Sequence, residues 1–375
     1  MTTSLQSASR LVLKIGSSLL VDAASGKLNR GWLESVAEDL ARLRQRGQQV
    51  LVVSSGAIAL GRRYLGLSRE QRRLEEAQAA AAAGQILLAH AWQEELAARG
   101  LRCAQVLLTP DDTENRRRYL NARNTMETLL RLGVIPVINE NDTVTTQEIR
   151  YGDNDRLGAR VAEMTSADIL VLLSDVDGLH DADPTANPAA RLIPEVREIT
   201  PAIEALASAS ATEFGSGGMI TKLMAARICM GAGCTTVIAS GKREAPLQAI
   251  EAGAPATWFR PSRTPRQARK QWIAGSLVPR GTLRIDEGAE NALRGGSSLL
   301  PVGIIEVTGN FQSGDAVTVH NRAGRDLGRG LVAYSSSEAR RICGRHSEEL
   351  PALLGYSGRE EMIHRDNLAL LDNPT

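Results

Sequence analysis

Two lysines and two acidic, amide-rich clusters are the residues best suited to chemistry. Lys14 sits in an apolar run, Leu11-Val12-Leu13-Lys14-Ile15, and is followed by Gly16-Ser17-Ser18. An ammonium buried without a partner is costly. At a strand end beside free N–H groups, Lys14 suits phosphate oxygens, or it points to water from an edge strand. Lys222 ends the stretch Gly215-Ser216-Gly217-Gly218-Met219-Ile220-Thr221-Lys222, which leads into a helical segment over 223–230. Glycines let backbone N–H groups approach a phosphate, a helix N-terminus adds positive potential, and Lys222 adds a mobile charge. The plain alternative is a flexible loop capped by a helix, and phosphate binding is the preferred reading. Asn139-Glu140-Asn141-Asp142 and Gly152-Asp153-Asn154-Asp155 suit turns and helix N-caps. They also suit the grip of an amino-acid zwitterion, a metal or a lysine pair, and spacing does not decide among these. Ser54-Ser55-Gly56 is a strand-to-helix turn that offers N–H groups to an anion or is simply tight.

Only five of the 44 basic residues are lysines: Lys14, Lys27, Lys222, Lys242 and Lys270. Arg is a wide planar fork and Lys a compact point charge, so this scarcity draws attention to Lys14 and Lys222. Other chemistries lack their signatures. Gly26-Lys27 and Gly241-Lys242 lack the rest of a P-loop, and GxGxxG is absent. None of the five histidines lies near a nucleophile or in a metal motif, and the four cysteines form no CxxC. They read as structural residues and reduced thiols.

One arrangement must position these groups. A helical segment ends in Gly, an apolar strand follows, and a small polar cluster closes it. The strands are expected over 49–53, 101–108, 134–138, 169–173 and 235–239, closing on Ser54-Ser55, Thr109-Pro110, Asn139–Asp142, Ser174-Asp175 and Ser240-Gly241. Continuously apolar strands suit a parallel sheet covered on both faces. The expected fold is therefore an α/β, three-layer αβα sandwich with a mainly parallel central sheet. Ligands bind beyond the carboxyl ends of such strands, where the polar clusters lie. A long helix over 75–98 reads as scaffold or subunit interface. The pattern breaks near residue 260, where 254–285 holds no acidic residue but seven basic ones, with Pro255, Pro261 and Pro265. Short Gly-punctuated strands follow, the signature of a small β-barrel. The resulting division is 1–260 catalytic, 261–279 linker, 280–358 barrel and 359–375 tail.

With 43% apolar residues the chain builds a sizeable core. Its net charge of +1 excludes a chain-wide polycationic nucleic-acid binder. No apolar run reaches the ~18 residues needed to span a bilayer. The opening MTTSLQSASR lacks a secretory pattern. A cytoplasmic protein without membrane partners is expected.

Five ordered motifs carry a resemblance: Lys14-Ile15-Gly16-Ser17-Ser18, Val53-Ser54-Ser55-Gly56-Ala57-Ile58, Val137-Ile138-Asn139-Glu140-Asn141-Asp142, Gly152-Asp153-Asn154-Asp155 and the stretch from Gly215 to Lys222. In this order they resemble the glutamate 5-kinases of the amino acid kinase superfamily. Asp286-Glu287-Gly288-Ala289, the Gly296–Pro301 stretch and Val307-Thr308-Gly309-Asn310-Phe311 resemble the PUA domain that bacterial members carry. The likeness covers about 11–366. It implies ATP-dependent phosphorylation of the γ-carboxylate of L-glutamate with Mg²⁺, opening proline biosynthesis. It implies ATP at Lys14, Ser174, Asp175, Ser216, Gly217, Gly218, Met219, Ile220, Thr221 and Lys222. It puts glutamate at Ser55, Asp142 and Asn154. Lys14, Asp155 and Lys222 become the catalytic set, with Asp155 holding the two ammonium groups apart. Mg²⁺ rides on the nucleotide phosphates, with no protein metal site. Feedback inhibition by proline, a homodimer or homotetramer, and delivery of the labile product to glutamyl phosphate reductase are family expectations. Ser54, Ser174 and Ser216 stand where the commonest family pattern has Thr, and Ile220 where a small polar residue is frequent.

Two alternatives stand beside this. Another superfamily member would phosphorylate aspartate, N-acetylglutamate or carbamate. An RNA-binding regulator would use the PUA domain and the basic junction, a reading less favoured than a solvated linker or subunit contact.

Overall fold

The computed structural model describes residues 3–22, 25–67, 73–144, 153–184, 186–209, 218–275 and 278–371. The chain divides into two compact units, Met1–Pro265 and Arg266–Thr375.

Among the described residues the first unit is built on eight strands: β1 (Arg10–Ile15), β2 (Gln49–Ser54), β3 (Arg102–Leu108), β4 (Val134–Glu140), β5 (Ile169–Ser174), β6 (Glu195–Val196), β7 (Thr235–Ser240) and β8 (Ala256–Phe259). Their order is β3-β4-β2-β1-β5-β7-β8-β6. Every neighbouring pair is parallel except β7 with β8. Strand alternation splits the core into two layers. Leu11, Leu13 and Ile15 face one layer, with helices Arg30–Gln45 and Leu74–Ala97. Val12 faces the other, with helices Arg116–Arg131, Asp153–Thr165 and Met219–Gly231. The αβα sandwich with a mainly parallel sheet is thus as the sequence predicts. Strands β6 and β8 were not expected; at two and four residues beside Pro194 and Pro255 they show little periodicity.

From β1 the chain goes to β2 on one side, and from β5 it goes towards β7 on the other. The β1/β5 boundary is therefore a topological switch point, where such sheets open a crevice at their carboxyl edge. Lys14 stands there, paired in register with Val53 of β2 and Leu172 of β5.

Helices Ala57–Tyr64 and Leu74–Ala97 touch backbone to backbone. A Cβ on Gly84 would sit 1.7 Å from the Ala57 carbonyl oxygen, and one on Gly61 would sit 1.7 Å from that of Ala80. Neither oxygen can yield without separating the helices. Gly84→Ala should therefore destabilise the protein by about 3 kcal/mol or more, the upper range for overpacking. A chemical denaturation midpoint equal to that of the parent would refute this contact.

The second unit carries β9 (Gly281–Ile285), β10 (Ile304–Gly309), β11 (Ala316–His320), β12 (Asp326–Leu331) and β13 (Leu368–Leu370), ordered β10-β9-β11-β12-β13. Leu283, Ile285, Phe311, Val317, Val319 and Tyr334 form its core. Two expected boundaries differ. The 261–279 stretch holds helix Pro265–Gly275, whose Ile273 is buried with Ala316, Leu331 and Ala369. Pro265 opens that helix, where a missing N–H does no harm. Over 359–371 the tail packs into this unit: Met362 and Ile363 enter the core, and Leu368–Leu370 pairs antiparallel with β12.

Candidate active site

The site is built on the carboxyl edges of β4, β2, β1 and β5. Asp155, in the first turn of helix Asp153–Thr165, is fully buried. Its Oδ1 lies 2.5 Å from Lys14 Nζ, and its Oδ2 lies 3.3 Å from Lys222 Nζ. Thr221 Oγ1 donates to the same Oδ2 at 2.8 Å. Lys14 and Lys222 are themselves buried, although 208 positions separate them in sequence. One carboxylate thus brings both amines to one place. Gly158 of the same helix as Asp155 lies beside the Lys14 stem, at a distance where an added Cβ would make ordinary contact with Lys14 Cβ at 3.4 Å. Lys27 and Lys242 are exposed and Lys270 is half-buried.

The electrostatics follow from burial and proximity. Burial works to raise the Asp155 pKa, but Lys14 and Lys222 outweigh it and hold the carboxyl below its ordinary range. Burial pulls the Lys222 ammonium below its usual value; Asp155 opposes the shift and the charge on Lys14 adds to it. The cluster holds two cations and one anion, an excess of positive charge suited to an anionic ligand.

Asn154, the preceding residue, faces a different group. Its Nδ2 donates to Ser55 Oγ at 2.7 Å and to Asn139 Oδ1 at 3.0 Å. Asn139 Nδ2 donates in turn to Gln85 Oε1 at 2.8 Å. Ser55 stands in the turn after β2, where Gly56, at φ 103°, adopts a left-handed conformation before the helix begins. Asp142 is buried beyond the end of β4. One helical turn therefore touches both halves: Asn154 reaches the β2/β4 side and Asp155 the lysine pair.

The remaining predicted positions lie around this edge. Ser174 ends β5, and its Oγ donates to Asp175 Oδ1 at 2.9 Å. Gly218 caps helix Met219–Gly231, whose first turn carries Met219, Ile220, Thr221 and Lys222, with Ile220 exposed. Ser216 and Gly217 lie outside the described residues. Ser54 is fully buried, and its Oγ accepts from Trp92 Nε1 at 3.0 Å. The sequence reading missed Gln85 and the Trp92 anchor. A lone glutamine between an alanine run and Ile86-Leu87-Leu88 was the one available signal. Among the described residues, no group of three or more His, Cys, Asp or Glu is arranged to hold a metal ion.

Fold and site together define a class. The model described as "Amino acid kinase family" matches residues 9–240, and that of the PUA domain matches 281–354; the protein is a kinase. The chain is 61% identical to the glutamate 5-kinase of Paramagnetospirillum magneticum over 98% of its length and 99% of that relative. It is 60% identical to that of Rhodospirillum rubrum, over 96% of each. It is 57% identical to glutamate 5-kinase 1 of Rhizobium meliloti, over 96% of this chain and 92% of that one. The chain belongs to the glutamate 5-kinases of the amino acid kinase family. Among solved structures it is similar to a carbamate kinase from Giardia lamblia, 17% identical, with a TM-score of 0.48 over 68% of this chain and all of that one.

Proposed function

We propose that this protein transfers the γ-phosphoryl group of ATP to the γ-carboxylate of L-glutamate, giving L-glutamyl 5-phosphate, the first step of proline biosynthesis. One observation carries the reading. Asn154 and Asp155 are neighbours in one helical turn, yet Asn154 bonds Ser55 while Asp155 bonds Lys14 and Lys222. A carboxylate acceptor and a polyphosphate donor would thus lie side by side.

A side-chain carboxyl with a reference pKa of ~4.3 is already ionised at neutral pH, so the acceptor needs no general base. The obstacle is bringing it to a polyanion and stabilising charge on the moving phosphoryl group. Lys14 and Lys222 would supply that stabilisation, with Asp155 keeping both amines aimed and apart. Ser55, Asp142 and Asn154 would orient glutamate. Ser174, Asp175 and the stretch from Ser216 to Thr221 would line the nucleotide. Mg²⁺ would arrive on the phosphates and neutralise part of their charge.

Inhibition by proline, assembly into dimers or tetramers, transfer of the labile product to a reductase and a cytoplasmic location belong to the same reading and rest on family membership. RNA binding by the PUA domain is less favoured. Of the basic residues near the junction, Arg260 pairs with Glu195 and stacks on Trp258, Arg269 bonds Asp366 and Asn367, and Arg284 pairs with Glu306.

The deciding experiment is ATP-dependent hydroxamate formation, since acyl phosphates react with hydroxylamine. Glutamate should give product while aspartate, N-acetylglutamate and carbamate give little, and proline should suppress it. No product from glutamate would end the proposal. Asp142→Ala should raise the glutamate KM by about tenfold or more and leave the ATP KM nearly unchanged. An equal rise in both would contradict its assignment to the acceptor.

A further inference from the structure

We propose that Gln85 is a positioning residue for the amino-acid acceptor, setting the rotation of Asn139 and, through it, that of Asn154. The inference rests on placing the acceptor at Ser55 and Asn154.

A primary amide fits its density of neighbours in two ways, with oxygen and nitrogen exchanged. Asn139 lies between two other amides. It donates from Nδ2 to Gln85 Oε1 and accepts on Oδ1 from Asn154 Nδ2. Turned over, it would set oxygen against the Gln85 oxygen and nitrogen against the Asn154 nitrogen. Two hydrogen bonds would become two repulsions. With its own carbonyl turned towards Asn139, Gln85 favours this orientation of Asn139 over the reverse. Both Gln85 and Asn139 are buried, where an unmet amide is costly.

The consequence passes to Asn154. Its two N–H groups are used on Asn139 Oδ1 and Ser55 Oγ. Its own oxygen then points the other way, and Asn154 Oδ1 is a buried acceptor without a hydrogen-bond partner among the described residues. The Ser55 hydroxyl, already accepting from Asn154, keeps its proton to donate. An acceptor beside a donor is complementary to the ammonium and carboxylate of an α-amino acid. A site built on such pairs rejects analogues that lack one of them.

Gln85 can act at this distance because its helix is pinned to the same turn. Next to it, Gly84 meets the Ala57 backbone, and about two turns onward Trp92 donates to Ser54.

The test compares three substitutions by steady-state kinetics. Gln85→Met keeps length and volume but removes the oxygen; the glutamate KM should rise about tenfold or more, with kcat and ATP KM within about twofold. Gln85→Glu keeps an acceptor oxygen and should restore most of the affinity. Gln85→Asn draws the carbonyl back by one methylene, should fold even if Gln85→Met does not, and should give an intermediate KM. An unchanged glutamate KM in the Met and Asn variants, a parallel rise in both substrates' KM, or no rescue by Glu would each overturn the relay. The parent enzyme is assayed alongside. If it ignores glutamate, the substrate assignment fails instead, and the three variants are compared on whichever acid of the panel turns over.

Discussion

Lys14→Ala and Lys222→Ala should each lower kcat by about 10²-fold or more, the usual loss when one donor to a transition-state oxygen is removed. The two amines meet on a single carboxylate at 2.5 and 3.3 Å, at the carboxyl edge of the β1/β5 boundary. Neither is exposed enough for water or another side chain to replace it. Lys→Arg at either position should not rescue. A planar fork is no substitute for a compact ammonium held 2.5 or 3.3 Å from one buried carboxylate. Single-turnover phosphoryl transfer isolates the chemical step. Normal turnover by either alanine variant would remove both lysines from the mechanism.

The second large effect belongs to Asp155→Asn. It leaves two buried ammonium groups with no counter-charge between them. Removing one partner of a buried ion pair costs about 3–5 kcal/mol, so the variant should melt at a clearly lower temperature. Its kcat should also fall by about 10²-fold or more, because the amines lose their aim. The pH profile separates the two causes. Asp155 favours the protonated form of Lys222, against burial and the charge on Lys14. Without it, Lys222 gives up its proton more readily, so the alkaline limb of the rate profile should move to lower pH. A limb that stays in place would show that Asp155 has no electrostatic role. In the parent, the Asp155 carboxyl is held below its unfolded value. Its contribution to stability is therefore present at neutral pH and is lost as pH falls through that depressed value.

Much of this was legible before any coordinates. Apolar strands closed by polar clusters gave the sheet and the edge on which the polar residues gather, because parallel strands advertise burial on both faces. The scarcity of lysine singled out the pair that Asp155 joins. Other features depend on contacts that no local pattern encodes. Gln85 lies in a helix that reads as scaffold, and its bond to Asn139 spans 54 positions of sequence. The anchoring of Ser54 by Trp92 is equally remote in sequence. In the second unit, β13 has three residues and no period to detect; pairing with β12 makes it a strand.

The register of β1 has a last consequence. Lys14 faces the same layer as Val12, while Leu13 and Ile15 face the opposite one. A slip of one position would exchange these faces and put a hydrocarbon where the amine belongs. On the role proposed for Lys14, misassembled molecules would be inert as well as unstable, and catalysis itself would report that the central ribbon had found its correct alignment.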